Sequence, residues 1–551
     1  MTARYRKLLD QLRQEFPQPV SDRVHDAYVV FSILRALDQV DDLKSQAPIL
    51  GSPSEPDFAA ARAESIADRR LPLETVVSQL VDYLQGMFIW GHPRSQINVV
   101  PYPTIASIIG VLLPSTYNPN LCSDESSRRM AEAEVRAVAM TADMIGYDPE
   151  SAGGVFTFGG TGGLLYGVKV GLEKAVPGCL NSGLRQGAVI LASGQSHYAV
   201  RSVAAWLGIG ENNVVEVSTQ ANNAMRLDEL AACARAVLAD GQRIAAIVAT
   251  MGSTDAFGID DLAAIHALRE RLVDEFSLDY RPHIHADAVI GWAWSVFNDY
   301  DFEANELGFR GRTVRALAAA NYRIRHLSLA DSVGVDFHKT GYAPYVSSLV
   351  LMRDQDDFRV IARRPERMPY LYQSGTHHPG MFTLETTRSA TGPMAALANL
   401  LLLGKEGFRA LLGHAVEMAE VLRERIESHP AVTVLNGDNV GPVTLFRAYP
   451  DGVDTFTVKA REQSDAEFQP QVRRFNEYNR RIFQRVHGEA LAGRGVVISM
   501  TECYRHTEHG EPVAALKSYV LSPMADEARM ESVLTRVLQA RQEIEEPPPV
   551  D

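Results

Sequence analysis

Three short stretches of this chain combine residue types that do chemistry together. The first is Gly159-Gly160-Thr161-Gly162-Gly163, which follows the apolar run 155–158 and opens an amphipathic segment near Leu164. A glycine turn feeding a helix N-terminus lets backbone N–H groups approach an anion, and the helix dipole favours negative charge there. The second is His285-Ala286-Asp287-Ala288, at the end of the predicted strand 282–286. Ligands of parallel sheets bind beyond strand C-termini. A buried carboxylate at such a point needs a cationic partner, and a protonated pyridine nitrogen would serve. The third is Asp331-Ser332 followed by Asp336-Phe337-His338-Lys339-Thr340-Gly341-Tyr342. Burial of Lys339 among these apolar neighbours is expected to lower its pKa, the condition for an imine-forming amine. Each stretch also has an ordinary explanation: a tight turn, an Arg-paired carboxylate, a solvated surface lysine. Their order, with a phosphate cradle, a His, a strand-end Asp and a Lys, is that of a pyridoxal-phosphate site.

The elements that must position these groups follow from periodicity. Residues 1–95 read as a helical N-terminal segment, with helical spacing over 73–87 and a Pro/Ser-rich loop at 48–56. Over 96–400, apolar runs at 188–192, 244–249, 282–286 and 346–352 alternate with amphipathic helices such as 260–276. That repetition predicts a large α/β domain around a mainly parallel sheet flanked by helices. Residues 401–551 read as a smaller C-terminal α+β domain, with helices at 407–428 and 526–544 and strands at 431–435, 496–500 and 518–521. The tail 545–551 has the composition of a disordered segment.

Composition excludes several classes. The 551 residues are 46% hydrophobic and 22% charged, ordinary globular proportions. The four cysteines are scattered without a C-x-x-C pair, against a disulfide framework or a structural zinc site. A net charge of −14 disfavours nucleic-acid binding. The polar first 16 residues lack a signal-peptide core, and the apolar stretches 105–113 and 395–403 are too short to span a bilayer, so a cytoplasmic protein without a membrane or nucleic-acid partner is expected.

From about residue 70 to 410 the chain resembles the group II pyridoxal-phosphate-dependent amino-acid decarboxylases of the fold-type I aminotransferase superfamily. It is most similar to the microbial tyrosine decarboxylase branch. The likeness rests on Tyr117-Asn118-Pro119-Asn120, Ser196-His197-Tyr198 with Leu207-Gly208-Ile209-Gly210, His338-Lys339 with Gly341-Tyr342 and Pro344-Tyr345, and Leu384-Glu385. The resemblance implies that Lys339 carries the cofactor as a Schiff base, that Asp287 partners the pyridine nitrogen and that His197 stacks on the ring. It implies that Thr254 bonds near the ring hydroxyl, and that Gly159, Gly160 and Thr161 cradle the phosphate, helped by the Asp336 backbone and His338. His92, in a His-Pro pair, and Arg388 correspond to substrate-side positions. Tyr370 matches a loop tyrosine that protonates the substrate carbon, with Tyr372 as the alternative. A homodimer with a shared site is implied, acting as a carboxy-lyase on an L-amino acid, with an aromatic side chain favoured.

This sequence departs from the family at two places. The cradle has Phe158 where the family has serine, and Gly162-Gly163-Leu164 in place of the usual continuation, which removes one hydroxyl donor. After Asp287 stand Trp292 and Trp294, which either line the substrate pocket or belong to the core; the core is favoured. Other chemistries stay open on the residues alone. A pyridoxal enzyme cleaving carbon–carbon bonds or forming an aldehyde would share a His-Lys-x-Gly-Tyr-Ala-Pro segment. A metal-dependent hydrolase could draw on His283, His285, Asp287 and His377-His378, though it leaves the glycine turn and Lys339 unexplained. No metal is expected. The glycine turn fits neither common nucleotide-binding pattern, and the altered cradle leaves room for a non-catalytic scaffold.

Overall fold

The computed structural model describes residues 3–368 and 371–545. Its large sheet contains β1 (Gly153–Thr157), β2 (Ala188–Ser193), β3 (Val214–Val217), β4 (Arg243–Thr250), β5 (His283–Asp287), β6 (Ser332–Asp336) and β7 (Ser348–Met352), in the order β1-β7-β6-β5-β4-β2-β3. The pairs β3–β2, β2–β4, β4–β5 and β5–β6 are parallel. Helices cover both faces, so the central strands are buried throughout and read as continuous apolar runs. The expected fold-type I architecture is the one observed.

One strand departs from the parallel pattern. β7 runs antiparallel to both β6 and β1. The connection from β6 spans only Phe337–Ser347, too short for the crossover a parallel return needs. That short connection is the segment bearing Lys339.

The helix Gly160–Ala175 lies unusually close to the sheet. A Cβ at Gly171 would meet the Ala245 carbonyl and stand 2.7 Å from His283 Cβ. One at Gly167 would run into His285 Nδ1 and stand 2.8 Å from Ser332 Oγ. Four residues apart, these glycines share the sheet-facing side, and their missing side chains lower the helix onto β4, β5 and β6. Its N-terminus therefore ends beside the C-terminal ends of those strands.

The long helix Thr391–Glu427 leads from the large domain into the small one and breaks at Gly404 (φ 53°). The small sheet has β8 (Val432–Val434), β9 (Val443–Ala448), β10 (Val497–His506) and β11 (Pro512–Tyr519), with the two-residue strand Ser95–Gln96 on its far edge. It has its own core, in which Leu422, Phe446, Val486, Leu516 and Val533 pack together. Two strands here are longer than the sequence pattern indicated. β10 continues through the polar stretch Thr501–His506 across a register shift, and β11 is buried on both faces, which erases the alternation that marks a strand. Residues 546–551, most of the expected tail, lie outside the described residues.

Candidate active site

The chain order of the large sheet reverses between β2 and β4, because β3 continues outward from β2 while β5 and β6 continue the other way. A crevice opens at such a reversal, beyond the strand C-termini. A cavity of about 440 Å³ occupies it. Its walls include Ser193 to Tyr198 after β2, Thr250 and Gly252 to Asp255 around the end of β4, Asp287 of β5, and Cys503, Arg505 and His506 of β10 in the small domain. His197, Thr254 and Asp287, widely separated in sequence, thus face one space.

Asp287 is 9% exposed. Burial pushes its carboxyl up, against the pull of the Lys339 charge, and among the described residues no cationic group lies within 4 Å of it. A buried acid without a bound cation is a fitting partner for a protonated ring nitrogen. His197 is half-buried, and its Nδ1 accepts the Ala199 N–H at 3.2 Å at the start of the helix Ala199–Trp206. Burial and the Lys339 charge depress its pKa, which keeps a neutral imidazole.

Lys339 follows β6 in a turn whose amide bonds back to the Asp336 carbonyl at 3.2 Å. Its Nζ lies 3.0 Å from Asp336 Oδ2. Here the sequence expectation is corrected. Burial does act to lower the Lys339 pKa, but the charges of Asp336 and Asp287 and the hydrogen bond to Asp336 outweigh it, so the ammonium is raised above its ordinary value. That field favours the protonated amine, and a cation held against Asp287 would offset part of it.

Asp336 also has a task the sequence did not suggest. Its carboxylate, 1% exposed, holds Lys339 and accepts the Ser348 hydroxyl at 2.6 Å, while its carbonyl accepts the Trp292 indole N–H at 3.3 Å. His338 packs behind, with Nε2 3.6 Å from Asp336 Oδ2 and its ring on Tyr345. The glycine turn reaches this group directly, since a Cβ on Gly160 would lie 2.8 Å from Asp336 Oδ2 and 2.9 Å from Val289, itself part of the cavity wall. Gly159 has φ 124° with open space where a side chain would go. The first amides of the helix, at Gly160 and Thr161, have no intrahelical acceptor and are free to bind an anion. A buried acid, an amine, an imidazole and a helix N-terminus set around one crevice fit pyridoxal phosphate.

Three expected positions fall elsewhere or outside view. His92 is not in the cavity wall; its Nδ1 accepts the Arg94 N–H at 3.1 Å, and Arg94 and Arg529 lie near enough to help depress it. Arg388 is buried and committed: it pairs with Glu134 through both terminal nitrogens and donates to the Leu121 and Phe156 carbonyls at 2.8 and 3.1 Å. Glu134 in turn accepts the Phe156 N–H at 3.0 Å, so this pair braces β1, the strand leading into the glycine turn, and does not face the cavity. Tyr370 lies outside the described residues, and Tyr372 packs on His378 rather than lining the cavity. Trp292 and Trp294 are fully buried core. His283 and His285 share the Ser332 hydroxyl at 2.8 Å each, while His378 bonds Ser123, so the three share no common centre. Among the described residues no three His, Cys, Asp or Glu form a metal-ligand set.

Sequence reasoning missed Glu134, Asp255, Lys517, Cys503 and Arg505. The register break between Thr501 and Arg505 hides which of these residues share a face, and nothing local says which domain they meet.

Fold and site together define a pyridoxal-phosphate enzyme of fold-type I. The chain belongs to the family described by the pyridoxal-dependent decarboxylase conserved domain, which matches residues 60–448. Its cofactor is pyridoxal phosphate and its activity that of an amino-acid decarboxylase, a carboxy-lyase. Similar proteins include an aspartate 1-decarboxylase of Aliivibrio fischeri, 23% identical over 88% of this chain and 83% of that one. An L-tyrosine decarboxylase of Enterococcus faecium is 27% identical over 42% of this chain and 39% of its own, so the tyrosine branch is one of several. Among solved structures, the glutamate decarboxylase domain of a diaminobutyrate-pyruvate transaminase and L-2,4-diaminobutyrate decarboxylase from Vibrio parahaemolyticus matches with a TM-score of 0.74. It is 19% identical, covering 97% of this chain and 99% of the other.

Proposed function

We propose that this protein releases the α-carboxylate of an L-amino acid as carbon dioxide and leaves the amine, with Lys339 as the residue that holds the cofactor aldehyde. The observation that carries this reading is the convergence of His197, Thr254 and Asp287 on one cavity, with the Asp336–Lys339 pair beside it. Bound pyridoxal phosphate supplies the electron sink that accepts the pair left when carbon dioxide departs. Asp287 would keep a proton on the ring nitrogen, because a buried carboxylate is stabilised by a cation held against it. The neutral His197 imidazole would cover the ring face, Thr254 would bond at the ring hydroxyl, and the Gly160 and Thr161 amides would take the phosphate. Asp336 holds the Lys339 amine in place and balances its charge. Tyr370 returns a proton to the substrate carbon. The protein's contribution is orientation and electrostatic stabilisation inside a crevice roofed by the small domain.

The site is completed by a second copy of the chain. Support comes from unpartnered apolar surface on the helices Arg23–Asp42 and Ile105–Tyr117, where Val24, Phe31, Leu37, Ile105 and Leu113 are exposed. Among the described residues no helix is long and apolar enough to cross a membrane, and we place the enzyme in the cytoplasm, without nucleic acid as partner.

The test is Lys339→Ala. Loss of both turnover and the visible absorption of lysine-bound cofactor is expected, with the amine as the wild-type product. Full turnover without Lys339 would end the proposal, and an aldehyde product would move the enzyme to another reaction class.

A further inference from the structure

The relatives named above act on side chains of opposite or no charge, so kinship does not decide the substrate; the cavity wall does. The small domain reaches into that wall through β10. Its register against β11 shifts between Thr501 and Arg505, and such irregularities re-aim side chains. Arg505 reaches the cavity wall, while its Nη2 donates to the Ala221 carbonyl at 3.1 Å and its guanidinium lies 4.4 Å from the Tyr504 ring centre, two groups outside that wall.

The other charges of the wall are already matched. Arg201 holds Glu216 at 2.7 and 3.0 Å. Asp255 has both oxygens engaged, by Lys517 Nζ and Thr501 Oγ1 at 2.8 Å each. Asp287 is reserved for the cofactor ring. Of the two arginines in the wall, Arg505, unlike Arg201, has no carboxylate within 4 Å among the described residues. An arginine in the cavity wall without a carboxylate partner is open to an anion, and the planar fork of its guanidinium matches a carboxylate.

We propose that Arg505 selects an amino acid whose side chain ends in a carboxylate, aspartate or glutamate in class. This rests on the decarboxylase reading of the same site. Asp287 aside, a basic side chain finds no unpaired carboxylate in the wall, and an aromatic one leaves the Arg505 charge without a counter-charge. Arg505 is a specificity residue; it is not asked to move a proton.

The experiment compares holoenzyme turnover of aspartate and glutamate with that of asparagine, glutamine, tyrosine and 2,4-diaminobutyrate, in wild type and Arg505→Gln, and separately measures binding of succinate and glutarate by calorimetry. At least one acidic substrate should exceed its own amide by about ten-fold or more in kcat/KM, mostly through KM. Arg505→Gln should cut that acid-to-amide ratio about ten-fold and weaken dicarboxylate binding. Better turnover of tyrosine or diaminobutyrate by wild type, or an acid-to-amide ratio that Arg505→Gln leaves unmoved, overturns the assignment; in the second case Arg505 is an interdomain strut through Ala221. Arg505-dependent dicarboxylate binding without any decarboxylation would instead sink the decarboxylase reading while keeping the anion site. Thermal unfolding of Arg505→Lys, which keeps the charge, controls for folding.

Discussion

Replacing Gly167 by alanine tests whether the approach of one helix to the sheet sets the site. The added Cβ would run into His285 Nδ1 and lie 2.8 Å from Ser332 Oγ. Neither neighbour can give way, because His285 and Ser332 are fully buried and bonded to each other at 2.8 Å. Overpacking of this kind costs about 1–3 kcal/mol, and disturbing the His285–Ser332 bond adds about 1 kcal/mol. Alanine in place of glycine inside a helix recovers about 1 kcal/mol. The net expectation is a loss of roughly 1–3 kcal/mol in urea unfolding. Gly488→Ala is the matched control: that glycine also sits inside a helix, exposed, with no atom near its missing Cβ, so the same change should stabilise by up to about 1 kcal/mol. The helix pushed off the sheet is the one whose N-terminus cradles the phosphate. Pyridoxal-phosphate affinity, read by titrating the visible absorption, should therefore fall about ten-fold in Gly167→Ala, about 1.4 kcal/mol. Equal stability and equal cofactor affinity in the two variants would refute the reasoning.

Breaking the Arg388–Glu134 pair by Arg388→Ala should cost about 3–5 kcal/mol in unfolding, because it leaves a buried carboxylate without its cation, whereas Arg388→Met with Glu134→Met should restore most of it. Acid should destabilise the protein through His283 and His285, held by burial at about 4 and about 3. Both lie below the ordinary value near 6.5, so the unfolded chain binds protons first; their contribution is complete above that value and is lost as pH falls toward the folded values. Between pH 7 and 5 each should remove about 2 kcal/mol, and a wild-type unfolding midpoint that falls no faster than that of His283→Gln would contradict this. Asp260, raised by burial to about 6, works the other way, costing stability above that pH and relieving it below.

Much of the site was legible in the linear chain, because its chemistry is local in sequence. A glycine turn before a helix, an acid closing a strand and a His-Lys pair after another are each short patterns whose backbone setting follows from periodicity, and together they carry the resemblance that points to the cofactor. The sequence also determined the parallel sheet, since strands buried on both faces are continuous apolar runs. What tertiary structure decided were matters of electrostatics and long-range contact. Lys339 has a raised pKa because Asp336 and Asp287 converge on it, and a field summed over separate strands has no local signature. Arg388 looked available for substrate until Glu134, 254 residues earlier, was seen to hold it. Arg505 belongs to the cavity only because β10 bends across a domain boundary. Residue types and their short-range spacing are written in the chain; which charges end up opposed, and which are left open for a ligand, depends on distances that only the folded packing sets.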